Sequence, residues 1–414
     1  MQGKIQAGRW KPRKTNMNVD MNTLPFETIT IDGFRGLRDL RLEGLGAVNI
    51  LVGDNNSGKT SVLEAMSIAC NPFGPQEWLA MIRRRDFGGL DENRGQSLRW
   101  CFPQSGALRN QDFMFKGRCE INSQGRYPLR KLVAEVSDIQ GIPSLNELKH
   151  MRRLPEDATE SIAFAESWRG IELKHVVEMN DAADQPSPFG FPTVSTTDPI
   201  TLQFWDDDDR MGPILSRPRQ GNLPSSTLTP YSYQINQLQL RSHSSQLFQG
   251  NGDAMEKREH VLDLIRQFDP EITDIQIASY GGLDAAIYLN HKRLGPAPLS
   301  VFGDALRRAV LLSSTLPKLV GGLLMIDEIE TGIHISSLVK VFDWLMKTAK
   351  QFDVQVIATT HSLEAIDGIL AASGDNLDDL VTFHLDNDGD RTDAKRIYGD
   401  LLRRMRHQRG LDVR

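Results

Sequence analysis

Gly53-Asp54-Asn55-Asn56-Ser57-Gly58-Lys59-Thr60 satisfies the pattern G-x-x-x-x-G-K-[ST] at every fixed position. Glycines at both ends let the backbone wrap an anion so that successive N–H groups point inward. A helix starting at this point adds its positive N-terminal end. In this reading Gly53, Asn55, Asn56, Ser57 and Gly58 cradle phosphate oxygens, Lys59 reaches the β- and γ-phosphates, and the Thr60 hydroxyl is a Mg²⁺ ligand. The flanking sequence supplies the setting such a loop needs. Thr28–Ile31 reads as a strand, Gly33-Phe34-Arg35-Gly36 as a turn, and the apolar run Val48–Val52 as the strand entering the loop. Beyond it, Val62, Ala65, Met66 and Ala69 recur at i, i+3, i+4 and i+7, one apolar face of a helix.

The C-terminal third has the same α/β texture. Ala305, Leu306, Ala309, Val310 and Leu316 follow helical spacing, and so do Leu338, Val341, Phe342, Leu345 and Ala349. Leu323–Ile326 and Val354–Ala358 are short, wholly apolar runs, the pattern of parallel strands covered on both faces. The first ends in Asp327-Glu328, which puts two carboxylates at the strand's C-terminal edge, where open α/β sheets bind ligands. Asp327 is the expected second Mg²⁺ ligand through water, and Glu328 the base for an attacking water. Thr359-Thr360-His361-Ser362 follows the next strand, so His361 is expected beside the same edge, able to bond a γ-phosphate or the attacking water. Leu299-Ser300-Val301-Phe302-Gly303-Asp304 opens a helix. Spacing alone leaves phosphate binding there level with an ordinary N-cap.

Residues 76–295 differ in texture. Proline and glycine break this stretch, most densely between Pro186 and Pro230, and Ala254–Gln267 reads as a helix among short strands. No heptads are sustained, which argues against a coiled-coil arm. The expected organisation is a polar tail at 1–22, nucleotide-hydrolase segments at 23–75 and 296–414, and a mixed region at 76–295. Two acidic runs read as solvated turns rather than metal sites. They are Asp206–Asp209 and Asp386-Asn387-Asp388-Gly389-Asp390, the latter lacking the Gly and Glu of a calcium loop.

Composition narrows the class further. Among 414 residues, 39% are hydrophobic and 25% charged, which suits a globular chain. The net charge of −6 gives no general attraction to nucleic acid. Local basic clusters occur at Arg83–Arg85 and at Arg403, Arg404, Arg406 and Arg409. Cys70, Cys101 and Cys119 have no C-x-x-C spacing and cannot all pair, as expected of a reduced, cytoplasmic setting without a membrane span.

Taken in order, Phe34-Arg35-Gly36, the phosphate loop, Ser300 with Gly303, Asp327-Glu328 and His361 resemble the ABC-type ATPase heads of the RecF, SMC and OLD group. Asp327-Glu328-Ile329-Glu330-Thr331-Gly332-Ile333-His334 and Thr359-Thr360-His361-Ser362-Leu363-Glu364 resemble the OLD-like branch in particular. The resemblance covers residues 26–70 and 295–370. It implies an α/β P-loop NTPase fold, with a long mixed α/β insertion between the phosphate loop and the signature and Walker B segments. ATP and Mg²⁺ are the implied cofactors. Ser300 and Gly303 would stand for a degenerate signature contacting ATP held by an opposing subunit, and His361 for the switch histidine. A homodimer or larger homo-oligomer sandwiching ATP is implied. The glutamine of the Q-loop is not fixed among Gln76, Gln96 and Gln104.

OLD proteins carry a C-terminal Toprim nuclease, and residues 362–414 are too few for one. The expectation is therefore an ATPase that acts with a separate nuclease subunit or with DNA, in anti-phage defence or DNA repair. Glu328 and His361 favour a hydrolase over a non-catalytic, ATP-locked scaffold, because a lock needs no base.

Overall fold

Alternating and continuous apolarity sort the strands into two kinds. In the computed structural model, which describes residues 23–74, 76–85, 94–104, 115–142, 167–180, 194–205, 221–232, 253–278 and 286–414, Thr28–Asp32 (β1) and Leu40–Glu43 (β2) bury alternate residues. Val48–Val52 (β3) is buried throughout. Lys116–Gln124 (β4), Leu129–Gly141 (β5) and Trp168–Asn180 (β6) bury alternate residues along much of their length. Val194–Thr196 (β7), Ile200–Trp205 (β8) and Ser225–Leu228 (β9) follow. Ile272–Ala278 (β10), Ala286–His291 (β11) and Gly295–Pro298 (β12) form a small antiparallel sheet. Leu323–Ile326 (β13) and Gln355–Thr359 (β14) are buried throughout, and Leu380–Asn387 (β15) and Thr392–Tyr398 (β16) make a hairpin. The acidic stretch Asp386–Asp390 lies at the tip of that hairpin, as its flanking runs predict. Asp206–Asp209 and the 1–22 tail lie outside the described residues.

Two large sheets result. The alternating strands build a seven-stranded antiparallel sheet in the order β2-β1-β4-β5-β6-β7, with β8 also paired to β6. The fully buried strands β3, β13 and β14, joined by β15, β16 and β9, build a six-stranded sheet in the order β16-β15-β3-β14-β13-β9, parallel except for β16. Adjacent residues of the parallel strands face opposite cores, which is why no alternation shows in their sequence. Val48, Ile50, Val52, Leu324, Ile326, Val356 and Ala358 join one cluster, with the helices Asp253–Phe268, Asp304–Thr315, Ile335–Gln351 and Leu363–Ser373. Leu51, Leu323, Met325 and Ile357 join the other, with the antiparallel sheet.

The helix Lys59–Cys70 lies in that second cluster and is buried on every side from Ser61 to Cys70. Its apolar stripe alone predicts a single covered face, but sheets on two sides leave no solvent-facing side. Glu64 is therefore drawn inside with it. Stretch 76–295 does not stand apart from the rest. It supplies β4–β8 to the antiparallel sheet and β9 to the edge of the parallel one. β4, β5 and β6 run to 9, 13 and 13 residues, longer than the short strands expected there. Polar side chains bind the layers as well. The Gln355 amide donates to Phe26 O (2.8 Å) and Gly46 O (3.0 Å) and accepts from Phe26 N (3.0 Å), so this buried group is satisfied.

Candidate functional site

Parallel pairing decides what meets at the sheet's edge. Ile50 lies opposite Ala358, Ala358 opposite Ile326, and Val52 opposite His384. The residues that follow these strands, Gly53–Thr60, Asp327–Glu328 and Thr359–His361, therefore leave at one C-terminal edge. They open onto a cleft of about 660 Å³, within the size range of ligand pockets.

Gly53 has φ +139°, Asn56 φ +67° and Gly58 φ +96°, positive values that curl the chain into a tight loop, within which Ser57 N donates to Asp54 O (3.1 Å). A Cβ on Gly58 would sit 2.6 Å from Leu37 Cδ2, so a larger residue there must displace the buried Leu37 as well as take up a positive φ. Lys59 folds back on the loop, its Nζ donating to Gly53 O (2.7 Å) and Asp54 O (2.9 Å). Burial lowers its pKa below the ordinary lysine value, against the pull of Asp327, Asp54, Glu328 and Glu330.

Thr60 Oγ1 donates to Asp327, with its two carboxylate oxygens at 3.2 and 3.1 Å. A hydroxyl and a carboxylate this close form a hard-oxygen donor set suited to Mg²⁺. Thr359 Oγ1 donates to Asp327 Oδ1 (2.6 Å) and accepts from Glu328 N (2.8 Å), fixing both acids to β14. Glu328 has φ +48°, uncommon for a residue with a side chain. Its Oε2 accepts from Thr331 Oγ1 (3.0 Å), and its Oε1 is 4.0 Å from His361 Nδ1. Arg308, buried on the helix Asp304–Thr315, donates from Nη2 to Glu328 O (2.7 Å).

Ser300 and Gly303 do not reach this cleft; both are exposed at the start of that helix. Gly303 is the N-cap, no side chain caps the helix, and a Cβ at Gly303 would meet open space. Gly303 is thus the ordinary N-cap that the spacing allowed, while Ser300 takes no part in capping. Gln104 lines the cleft, with its Nε2 donating to Arg99 O (2.7 Å) and Phe102 O (3.0 Å).

Several lining residues lie outside the phosphate-loop, Asp-Glu and histidine motifs. Arg85, from the Arg83–Arg85 cluster, lines the cleft together with Arg35 and Arg38, beside Trp100 and Phe102. Glu64, 4% exposed, holds two of the arginines. Arg85 donates to its two oxygens at 2.7 and 3.0 Å. Arg35 Nε lies 2.7 Å from Glu64 Oε2 without N–H alignment, while its Nη2 donates to Oε1 at 3.4 Å. A basic residue next to the turn at Gly36 and an acid inside an apolar helix were the available signals. Only the fold joins them. In the second basic cluster, Arg406 is paired with Asp367 at 2.7 and 2.8 Å and Arg403 with Asp400 at 3.3 Å, so much of its charge is locally answered.

Two family models and several known proteins match parts of this chain. Residues 26–98 match the family model described as "AAA ATPase domain", and residues 196–367 the one described as "AAA domain, putative AbiEii toxin, Type IV TA system". An uncharacterised protein of Methanocaldococcus jannaschii is 33% identical over 113 residues, 27% of this chain and 98% of that protein. A second uncharacterised protein of that organism is 55% identical over 42 residues, so the chain spans only 19% of its length and 10% of itself is covered. An "ATP/GTP phosphatase" of Helicobacter pylori is 23% identical over 353 residues, 82% of this chain and 86% of that one. Among solved structures, the Smc head bound to the C-winged helix domain of ScpA covers 90% of this chain and 98% of its own. Its identity is 11% and its TM-score 0.43. The Pyrococcus furiosus Smc head with an extended coiled coil covers 94% and 100%, at 10% identity and a TM-score of 0.43.

The fold is thus a mixed α/β P-loop fold, assembled from segments that match AAA ATPase domain models. The chain belongs to one family with the M. jannaschii protein that it matches over nearly that protein's full length. No helix among the described residues is long and apolar enough to cross a membrane.

Proposed function

We propose that this chain binds and hydrolyses ATP with Mg²⁺ in the cleft at the end of β3, β13 and β14. The observation that carries the reading is the convergence of Lys59, Thr60, Asp327, Glu328 and His361 on that one cleft. The loop N–H groups from Asn55 to Lys59 hold the phosphates, and Lys59 turns from its carbonyl partners to the β- and γ-oxygens. Thr60 and Asp327 would hold Mg²⁺, which when bound neutralises charge on the β- and γ-phosphates. Glu328 orients a water for in-line attack and takes its proton. His361 bonds the γ-phosphate or that water from the opposite loop.

Ser300 and Gly303, exposed on their own chain, are assigned to ATP held by a second copy. The homodimer that this arrangement requires would close on ATP and reopen on hydrolysis. We assign the closing motion to the control of a separate nuclease or a nucleic-acid transaction, in the manner of OLD-like ATPases of anti-phage defence and DNA repair. In this scheme residues 23–75 and 296–414 carry the catalytic segments, and 76–295 adds Arg85, Trp100, Phe102 and Gln104 to the lining of the cleft.

The test is phosphate release with ATP and Mg²⁺, with and without double-stranded DNA, beside Lys59→Ala and Glu328→Gln. Turnover in the wild type that both substitutions abolish, with Glu328→Gln still retaining ATP, supports the hydrolase. An ATP-dependent dimer that never turns over, in which Glu328→Gln changes nothing, supports a scaffold that ATP locks.

A further inference from the structure

Glu330 has no role in the mechanism proposed above, yet it holds the site's histidine more closely than Glu328 does. Its side chain is 13% exposed and turns under the loop that follows β14. Oε2 accepts from Thr360 Oγ1 (2.8 Å), and Oε1 accepts from His361 N (3.2 Å). The imidazole is on the same oxygen, with His361 Nδ1 3.3 Å from Oε1. One mostly buried carboxylate therefore accepts two hydrogen bonds from two consecutive residues, and the imidazole Nδ1 lies beside the same carboxylate without the alignment of a third. Its own loop is fastened to β14 as well, since Ile329 N donates to Thr359 O (3.0 Å).

An ionised carboxylate can only accept, so at 3.3 Å it disfavours a lone pair and favours a proton on the ring nitrogen nearest it. That nitrogen is Nδ1, and the neutral ring then has an unprotonated Nε2. His361 is 58% exposed and lines the cleft, so Nε2 is the nitrogen left to act there. The other charged groups around it leave this assignment standing. Glu328 Oε1 is further away, at 4.0 Å from Nδ1, and Arg414 donates to the His361 carbonyl at 3.4 Å rather than to the ring. The logic is that of a carboxylate orienting a histidine whose other nitrogen does the chemistry.

We propose that Glu330 is a positioning residue for His361, fixing Nδ1 as the protonated nitrogen and presenting Nε2 to the reacting phosphate or water. The inference rests on the proposed hydrolase reading for its kinetic consequence, but not for the tautomer.

The experiment has one arm for each. In ¹⁵N NMR of the full chain at a pH where His361 is neutral, with His361→Ala to assign its signal, the wild type is expected to show Nδ1–H. Glu330→Ala is expected to lose that preference, and Glu330→Gln, which keeps one acceptor oxygen, to recover it. In turnover assays Glu330→Ala is expected to lower kcat roughly 10–100-fold, as removal of an orienting partner typically does. KM for ATP is expected to hold, and adding Glu330→Ala to His361→Ala should cost nothing further. Unchanged ATP affinity in Glu330→Ala shows that the cleft has stayed folded, and Glu330→Gln serves if the alanine variant does not fold. An Nε2–H tautomer in the wild type overturns the proposal, and so do losses that multiply in the double variant. A wild type without turnover defeats the hydrolase reading alone, because the tautomer is read without catalysis.

Discussion

Thr60 and Asp327 stand 267 positions apart in the chain, yet the threonine hydroxyl lies 3.1 and 3.2 Å from the two oxygens of the aspartate. Pairing of β3 with β14 and of β14 with β13 produces this meeting. Each strand delivers its following residue to the same edge. Asp327→Asn keeps the shape and halves the carboxylate's donor capacity for a hard cation. The expected result is nucleotide affinity that no longer rises with Mg²⁺, read by titrating a fluorescent ATP analogue with and without the metal. Affinity without Mg²⁺ should change little.

Lys59 titrates below the ordinary lysine value because burial disfavours its charged form. The sign follows directly. Phosphates bind the ammonium, so affinity is fully present while Lys59 is protonated and falls as pH rises through its lowered pKa. The loss of ATP affinity should therefore begin at a lower pH than an unperturbed lysine would give. Lys59→Arg, which does not titrate in this range, should give a flat profile over the same interval.

Glu64 is the buried acid between Arg35 and Arg85. Removing it leaves guanidinium charge facing a low-dielectric interior. Glu64→Ala is expected to destabilise the fold by about 3 kcal/mol, the low end for a broken buried pair, since Arg85 can reach solvent. A denaturant midpoint that does not move would contradict that role. ATP affinity should fall too, because both arginines line the cleft.

Trp78 is fully buried, stacked on Phe102 with centroids 5.4 Å apart and tilted against Phe34 at 6.1 Å. It supports the turn that carries Arg35 from beneath. Trp78→Ala should cost about 3–5 kcal/mol from the cavity it leaves. The thermal midpoint reports the loss, and nucleotide at saturating concentration should restore part of it.

The turn Gly33–Gly36, the phosphate loop, the acids after β13 and the histidine after β14 are legible because each is local. A strand's apolar run and the residue that ends it are neighbours in the chain. β9 was not legible, since Ser225–Leu228 has one apolar residue and takes its place only from pairing with β13. Nor was the length of β4, β5 and β6, whose alternation is interrupted on the buried face by polar residues such as Ser123 and His175. The sequence by itself determined that a phosphate loop exists and which side chains could serve it, because turn geometry and apolar period depend on adjacent residues. Tertiary structure decided which arginines face the cleft, that Glu64 is buried beneath them, and that Glu330 rather than Glu328 lies nearest the imidazole of His361. Those relations depend on which strand ends share an edge and how the layers close over one helix, and neither is written in any short stretch of chain.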